Sequence, residues 1–494
     1  MNLPIQLDRT SSAPLQDQLF DQLRQMIIAG GLKLGSRVIA TRFLAEQAGV
    51  SRTTVLQAYE RLISEGYLET TPGVGTFVCA VLPESTEGEE PLNPPKDVMR
   101  QIDLRPPVQR MAGLAEADAV SCRINFRSFH ADPALLPSEI WSRRGQQILY
   151  HHCAGLADHP PPSGVEPLRS AIADWFAARR GITVAPEQVI IVAGRQQARH
   201  IVASLLIRRG DNVIVETPGQ SAVNSLFESM GAIVVPVPVD EYGIRDDQLP
   251  GGSAALAYVT PSRQRPIGGT LPLPRRKRLI EWARQAGAYI IEDDCDGKFR
   301  YEGIAPPPLA ALDPYGLVFH IGTFSKTLGA GLCLGYLIVP PEFVAPVITA
   351  KAMFSKGCSW LDQMILADFI TSGEYEHHLR RMRKSYMARR DCLIQLLRDH
   401  FGAVQLIGFE TGTQLTWLLP PGTPPAQAIR KIALSHGIGL HALDEYHAED
   451  PYYDRTLILG YSTLNEQQLR EGVAVLSDIL RHHLLPSWPA PATA

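Results

Sequence analysis

Gly322-Thr323-Phe324-Ser325-Lys326-Thr327 follows the apolar run Leu317-Val318-Phe319-His320-Ile321. The run reads as a strand buried on both faces, and the small residues after it read as a turn at the strand's carboxyl end. A primary amine held there can condense with an aldehyde to form a Schiff base, and the hydroxyls of Thr323 and Ser325 can bind a phosphate on the same ligand. Ser-Lys-Thr alone also describes many solvated loops, so its surroundings decide. Upstream, Tyr289-Ile290-Ile291 runs into Glu292-Asp293-Asp294. A carboxylate at that strand end can keep a pyridine nitrogen protonated, so that the ring acts as an electron sink.

Apolar runs alternate with helical patterns throughout this half of the chain. Val189–Val192 precedes a helix over 195–208, Val213–Val215 one over 219–230, and Ala257–Val259 one over 274–286 that leads into the Ile290 strand. Unbroken β-branched runs between helices predict a mainly parallel sheet covered on both faces. Ligands of such sheets sit outside the carboxyl ends of the strands. Gly194, Thr260-Pro261-Ser262, Asp293 and Thr323–Lys326 all fall at such ends and can converge on one crevice.

The chain has 494 residues, 45% hydrophobic and 20% charged, which predicts more than one folded unit in a soluble globular protein. A formal charge of −4 gives no general attraction to nucleic acid, so any DNA contact needs a local patch. Seven scattered cysteines without a Cys-x-x-Cys pair suit reduced thiols and argue against a disulfide framework or a zinc site. No metal is expected. Without a basic leader or an apolar run long enough to cross a bilayer, the expected location is the cytoplasm.

Near the N-terminus, Leu15, Leu19, Leu23 and Ile27 recur at four-residue spacing and predict a first helix. Thr41 is the expected cap of a second helix closed by Gly49, and Ser51 that of a third running toward Gly66. The third should bury Val55, Tyr59, Leu62 and Ile63 and show Arg52, Thr53 and Gln57 outward. Two helices joined at a glycine turn make a helix-turn-helix, and that outward set can read a groove. Tyr67–Thr70 and Thr76–Val78, around Pro72-Gly73-Val74-Gly75, predict a hairpin wing. Leu82 to about Arg123 is rich in Pro and Glu and reads as a tether. The expected organisation is a DNA-binding domain at 8–80, a linker at 81–123 and an α/β domain at 124–484.

Residues 14–79 resemble the GntR-type winged helix. The resemblance rests on Gly35-Ser36-Arg37, Gly49-Val50-Ser51-Arg52-Thr53-Thr54-Val55, Glu65-Gly66-Tyr67-Leu68 and Gly73-Val74-Gly75-Thr76-Phe77-Val78. It implies contacts to double-stranded DNA by Arg37, Thr41, Arg42, Ser51, Arg52, Thr53, Thr54, Gly75 and Thr76. Residues 125–482 resemble the fold-type I aminotransferases, on Gly194 with Gln196-Gln197-Ala198, Thr217-Pro218-Gly219, Thr260-Pro261-Ser262, Ile291-Glu292-Asp293-Asp294, Gly322–Leu328 and Leu334-Gly335-Tyr336. The two in this order resemble the MocR class of bacterial regulators. That implies pyridoxal phosphate with Lys326 as its Schiff-base lysine, Asp293 at the pyridine nitrogen, and Gly194, Gln196, Thr323 and Ser325 near the phosphate. It also implies a homodimer.

Several positions depart from the family pattern. Cys333 stands where an arginine usually meets the phosphate, Cys295 where a tyrosine faces the phenolic oxygen, Gln220 where an aromatic follows Pro-Gly, and Arg263 where His or Asn precedes Gln264. Losing the bidentate cation weakens phosphate binding. Arg195 and Arg265 introduce cations that could replace the missing arginine or bind a different anion, and Arg195 or Arg263 is the expected compensating cation. Three functions follow. The first is a transcription regulator whose aminotransferase-like domain binds pyridoxal phosphate or another small effector, such as an amino acid or amine, with little or no transaminase activity. The second is a working aminotransferase with an attached DNA-binding module. The third is a regulator whose altered site binds another anionic effector without the cofactor.

Overall fold

The computed structural model describes residues 3–11, 13–80, 122–127, 130–294, 296–443 and 453–484. Residues 81–121 of the expected linker and Cys295 lie outside the described residues. The chain divides into two units, Met1–Asp103 and Leu104–Ala494.

In the first unit, α1 (Leu15–Ile28), α2 (Thr41–Ala48) and α3 (Arg52–Ser64) pack with a hairpin of β1 (Leu68–Thr71) and β2 (Gly75–Val78). The hairpin pairs antiparallel, with Leu68 opposite Val78 and Thr71 opposite Gly75. Leu19, Phe20, Leu23, Leu44, Val55, Tyr59, Leu62 and Val78 are buried together. Gly49, at φ 64, ends α2, and the Ser51 hydroxyl accepts the Thr54 N–H at 3.1 Å to cap α3. Two expectations need correction. Thr41 is the first residue of α2, which Ala40 precedes without a side-chain cap bond. Ile63 is 38% exposed, because Val55, Ala58, Tyr59 and Leu62 already define the buried face, and residue 63 lies about 100° further round.

The second unit starts with β3 (Ile124–Asn125) and then carries β4 (Val189–Val192), β5 (Asn212–Thr217), β6 (Ile233–Asp240), β7 (Gly243–Ile244), β8 (Leu256–Val259), β9 (Tyr289–Asp294), β10 (Val318–Thr323) and β11 (Gly335–Ile338). The last eight form one sheet in the order β4-β11-β10-β9-β8-β5-β6-β7. Pairing is parallel from β10 through β9, β8 and β5 to β6. The antiparallel β11 sits between β10 and β4. Every residue of β4, β8, β10 and β11 is buried, as unbroken apolar runs require when helices cover both faces.

Four strands follow in a smaller antiparallel sheet: β12 (Gln405–Ile407), β13 (Gln414–Leu418), β15 (His441–Ala442) and β16 (Thr456–Gly460); β14 (Ile438–Gly439) instead pairs with β3. Helices Glu374–Phe401, Ala426–Ser435 and Glu466–Asp478 supply Leu393, Ile429 and Leu469 to its core around Trp417 and Leu457. Among the described residues, no helix is long and apolar enough to cross a membrane.

Candidate functional site

Sheet order explains how residues far apart in sequence reach one place. Thr323 is paired with Gly335 and Gly335 with Val192, while Ile321 is paired with Asp293, so the ends of β4, β10 and β9 lie on adjacent or nearly adjacent strands. Helix Ser325–Leu328 starts at the end of β10 and carries Lys326, which is 7% exposed. The Lys326 Nζ lies 2.5 Å from Asp296 Oδ1 and donates to Thr413 Oγ1 at 3.2 Å.

Asp296 is 2% exposed, and its Oδ2 has no hydrogen-bond partner among the described residues. Burial alone would raise its carboxyl, but Lys326, Arg265 and Arg263 outweigh burial and hold it well below the usual carboxylate range.

Asp293, at the end of β9, is buried and accepts the Tyr258 hydroxyl on Oδ2 at 2.6 Å. That hydroxyl in turn accepts from Gln220 Nε2 at 3.0 Å. Arg199 Nε lies 4.0 Å from the same Asp293 oxygen. Close by, Glu216 takes the Thr260 N–H at 3.1 Å and the Thr260 hydroxyl at 2.5 Å. Burial pushes the Glu216 carboxyl up to about 7, against the hydrogen bonds from Thr260 and Gln264.

The expected phosphate end has a concrete shape. Gly194 has φ +93 and open space where a Cβ would stand, and the twelve-residue helix Arg195–Leu206 begins after it. Its first N–H groups and dipole favour an anion. Thr323 Oγ1 accepts the Ser325 N–H at 3.1 Å and lies 2.9 Å from Ser325 Oγ. Arg195 is half-buried and Gln196 exposed on the first turn of that helix. Amine, buried acid and helix terminus together suit a phosphorylated aromatic aldehyde. Cys333 adds no cation: it is exposed, with φ 49, and its thiol donates to the Ala330 carbonyl at 3.5 Å.

Arg263 stands elsewhere than expected. Its Nε donates to the Thr411 carbonyl at 3.0 Å and its Nη2 to the Gln414 carbonyl at 2.9 Å. At 3% exposure it ties the end of β8 to the segment entering β13, a fixed position set by main-chain acceptors. Sequence reasoning passed over Asp296, Thr413, Tyr258 and Arg199. Asp296 could have been found, three residues after Asp293, and Arg199 is a cation on the apolar face of its helix beside Ala198 and Val202. Thr413 carried no such signal.

In the first unit, Arg37, Arg42, Ser51, Arg52 and Thr53 are exposed, whereas Thr41, Thr54, Gly75 and Thr76 are half-buried. Arg37 forms an antiparallel bridge with Phe77, and Val38 N–H donates to the Thr76 carbonyl at 2.9 Å. A Cβ on Gly75, at φ +145, would stand 2.6 Å from Arg37 Nε, so only glycine lets the guanidinium lie over the wing.

Residues 15–78 match the family of bacterial regulatory proteins, gntR family, and residues 132–456 match aminotransferase class I and II. The chain is 33% identical over 470 residues to the probable rhizopine catabolism regulatory protein MocR of Rhizobium meliloti, covering 94% of each. It is 31% identical over 480 residues to the pyridoxine biosynthesis transcriptional regulator PdxR of Corynebacterium glutamicum, covering 97% of this chain and 98% of that one. The crystal structure of a multiple substrate aminotransferase from Thermococcus profundus superposes with a TM-score of 0.68 at 25% identity, over 78% of this chain and 96% of that one.

Proposed function

We infer how this regulator works from the family to which the chain belongs, the MocR-class transcription regulators that join a GntR-type winged helix to an aminotransferase-like domain. Its winged helix binds double-stranded DNA, with Arg37 and Arg42 on phosphates and Arg52 and Thr53 at base edges. The large domain takes pyridoxal phosphate on Lys326 as all or part of its effector site, in a cytoplasmic homodimer whose paired winged helices gain avidity on two half-sites.

The observation that carries this reading is that a buried lysine and a buried acid, Lys326 just after β10 and Asp293 near the end of β9, stand at the ends of neighbouring strands. When bound, the cofactor supplies an aldehyde that condenses with an amine and a ring that can accept electrons. Asp296 and Thr413 hold the Lys326 amine, and Asp296 keeps its proton in place until a base or solvent removes it. Asp293 would hold the ring nitrogen. The helix terminus at Arg195, with Thr323 and Ser325, would hold the phosphate, and Arg195 is the cation nearest in sequence to that terminus.

Transamination is little or absent, because Gln220 joins the Tyr258 hydroxyl in place of an aromatic ring partner and Cys333 brings no phosphate cation. The test is to add pyridoxal phosphate to purified protein, record the visible band, reduce with borohydride and map the adduct. An adduct on Lys326 that is lost in Lys326→Ala supports the reading. No adduct on the wild type at millimolar cofactor overturns it and favours a regulator whose site takes another anion.

A further inference from the structure

The cation behind Asp293 has no place in the functions derived so far. Arg199 belongs to the buried face of helix Arg195–Leu206, among Ala198, Ile201 and Val202, and is 5% exposed. A buried guanidinium needs acceptors. Its Nε donates to the Arg195 carbonyl at 3.3 Å and stands 4.0 Å from Asp293 Oδ2. The guanidinium carbon lies 5.7 Å from the centre of the Tyr258 ring, and the Tyr258 hydroxyl donates to that same Oδ2 at 2.6 Å. One carboxylate oxygen therefore has both a phenol and a cation beside it.

A carboxylate keeps a facing pyridine nitrogen protonated through its negative charge. A guanidinium at this distance, in a site shut off from water, opposes that charge and makes the nitrogen's proton easier to lose. We propose that Arg199 is a positioning residue that draws the charge of Asp293 away from the ring nitrogen of the pyridoxal-type aldehyde bound at Lys326. The domain thus keeps a covalent handle on its ligand while the ring is a poor electron sink. This rests on the cofactor reading above. Among the described residues, Tyr258, from β8, and Glu216, at the end of β5, also face Asp293, and the Glu216 carboxyl is itself raised by the Asp293 charge after burial. Neither is a cation, so Arg199 is the group whose removal tests the idea.

The experiment loads full-length protein with pyridoxal phosphate carrying nitrogen-15 in the ring and follows the ring-nitrogen resonance with pH. Wild type is compared with Arg199→Leu, Arg199→Gln and Arg199→Lys, each checked for native melting. The glutamine variant keeps a donor for the Arg195 carbonyl without charge, and guards against a packing failure in the leucine variant. The expected result is that the ring nitrogen keeps its proton to a pH higher by about 1–2 units in the leucine and glutamine variants, with the lysine variant returning toward wild type. Equal profiles in wild type and both neutral variants, with the adduct present on Lys326, overturn the role of Arg199 alone. Absence of the adduct from wild type overturns the cofactor reading and this inference with it.

Discussion

Lys326 Nζ lies 2.5 Å from Asp296 Oδ1, and both side chains are buried. A carboxylate at this distance favours the ammonium form, whereas condensation with an aldehyde needs the free amine. Asp296→Asn should therefore move the pH profile of adduct formation on Lys326 about 1 unit or more lower. Removing one partner of a buried pair also destabilises, by about 3–5 kcal/mol if the lysine stays charged and less if it gives up its proton. Stopped-flow absorbance across pH reads the profile, and an unshifted profile would remove Asp296 from any part in controlling the amine.

Arg195 and Arg263 should separate cleanly. Arg263→Met leaves the Thr411 and Gln414 carbonyls without that donor and should cost about 2–4 kcal/mol of stability, read by chemical denaturation, with cofactor loading in the folded fraction changed only through the weaker field at Asp296 and so by less than in Arg195→Ala. Arg195→Ala should do the reverse: near-native stability and loading weakened roughly ten- to hundredfold by equilibrium titration. Equal losses of loading in the two variants would contradict this division.

Glu216 gives a pH signature. Its folded-state value of about 7 lies above the ordinary 4.5, so the folded protein binds the extra proton between these values. Stability from this group is full below about 4.5 and is lost as pH rises through about 7, a change of up to about 3 kcal/mol. Glu216→Gln should flatten that part of the stability curve, although the amide also places donors against the Thr260 N–H and hydroxyl. A wild-type curve parallel to the variant's over this range would show that Glu216 stays charged.

On DNA, Arg52→Ala should reduce discrimination between operator and random duplex by about 1–3 kcal/mol, measured by competition binding. Gly75→Ala should weaken both duplexes together, because the new methyl displaces the Arg37 guanidinium without touching the outward side chains of α3. If Gly75→Ala changed the operator-to-random ratio as Arg52→Ala does, Arg37 would be reading bases.

What the sequence made legible follows from periodicity. The strands at Val189, Val213, Ala257, Ile290 and Val318 could be read because both their faces are covered, and the Ser51 cap and Gly49 turn could be read because each follows from local chemistry. The partner of Lys326 could not be read in full. Thr413 arrives from the entry to β13, separated in sequence from Lys326 by β11, β12 and the helices Val344–Phe354, Trp360–Thr371 and Glu374–Phe401, and no local pattern marks such a meeting. Arg263 was misjudged for a related reason: an arginine beside a site reads as a ligand for anions, while its real acceptors are carbonyls of residues 411 and 414. Ile63 was misjudged by hydrophobicity alone, where helical geometry already filled the buried face.

The exposed Cys333, in the left-handed region beside the proposed phosphate end, bears on how a ligand held there would exchange. An enzyme gains from a cofactor that never leaves, since every empty subunit is idle. A sensor gains from one that exchanges, because a site saturated at all times carries no information. Each tenfold loss of affinity raises the half-occupancy concentration tenfold, so if the domain takes pyridoxal phosphate as proposed, a thiol at 333 moves its working range to higher cofactor concentration than an arginine would. Cys333→Arg would then turn a gauge into a fixture.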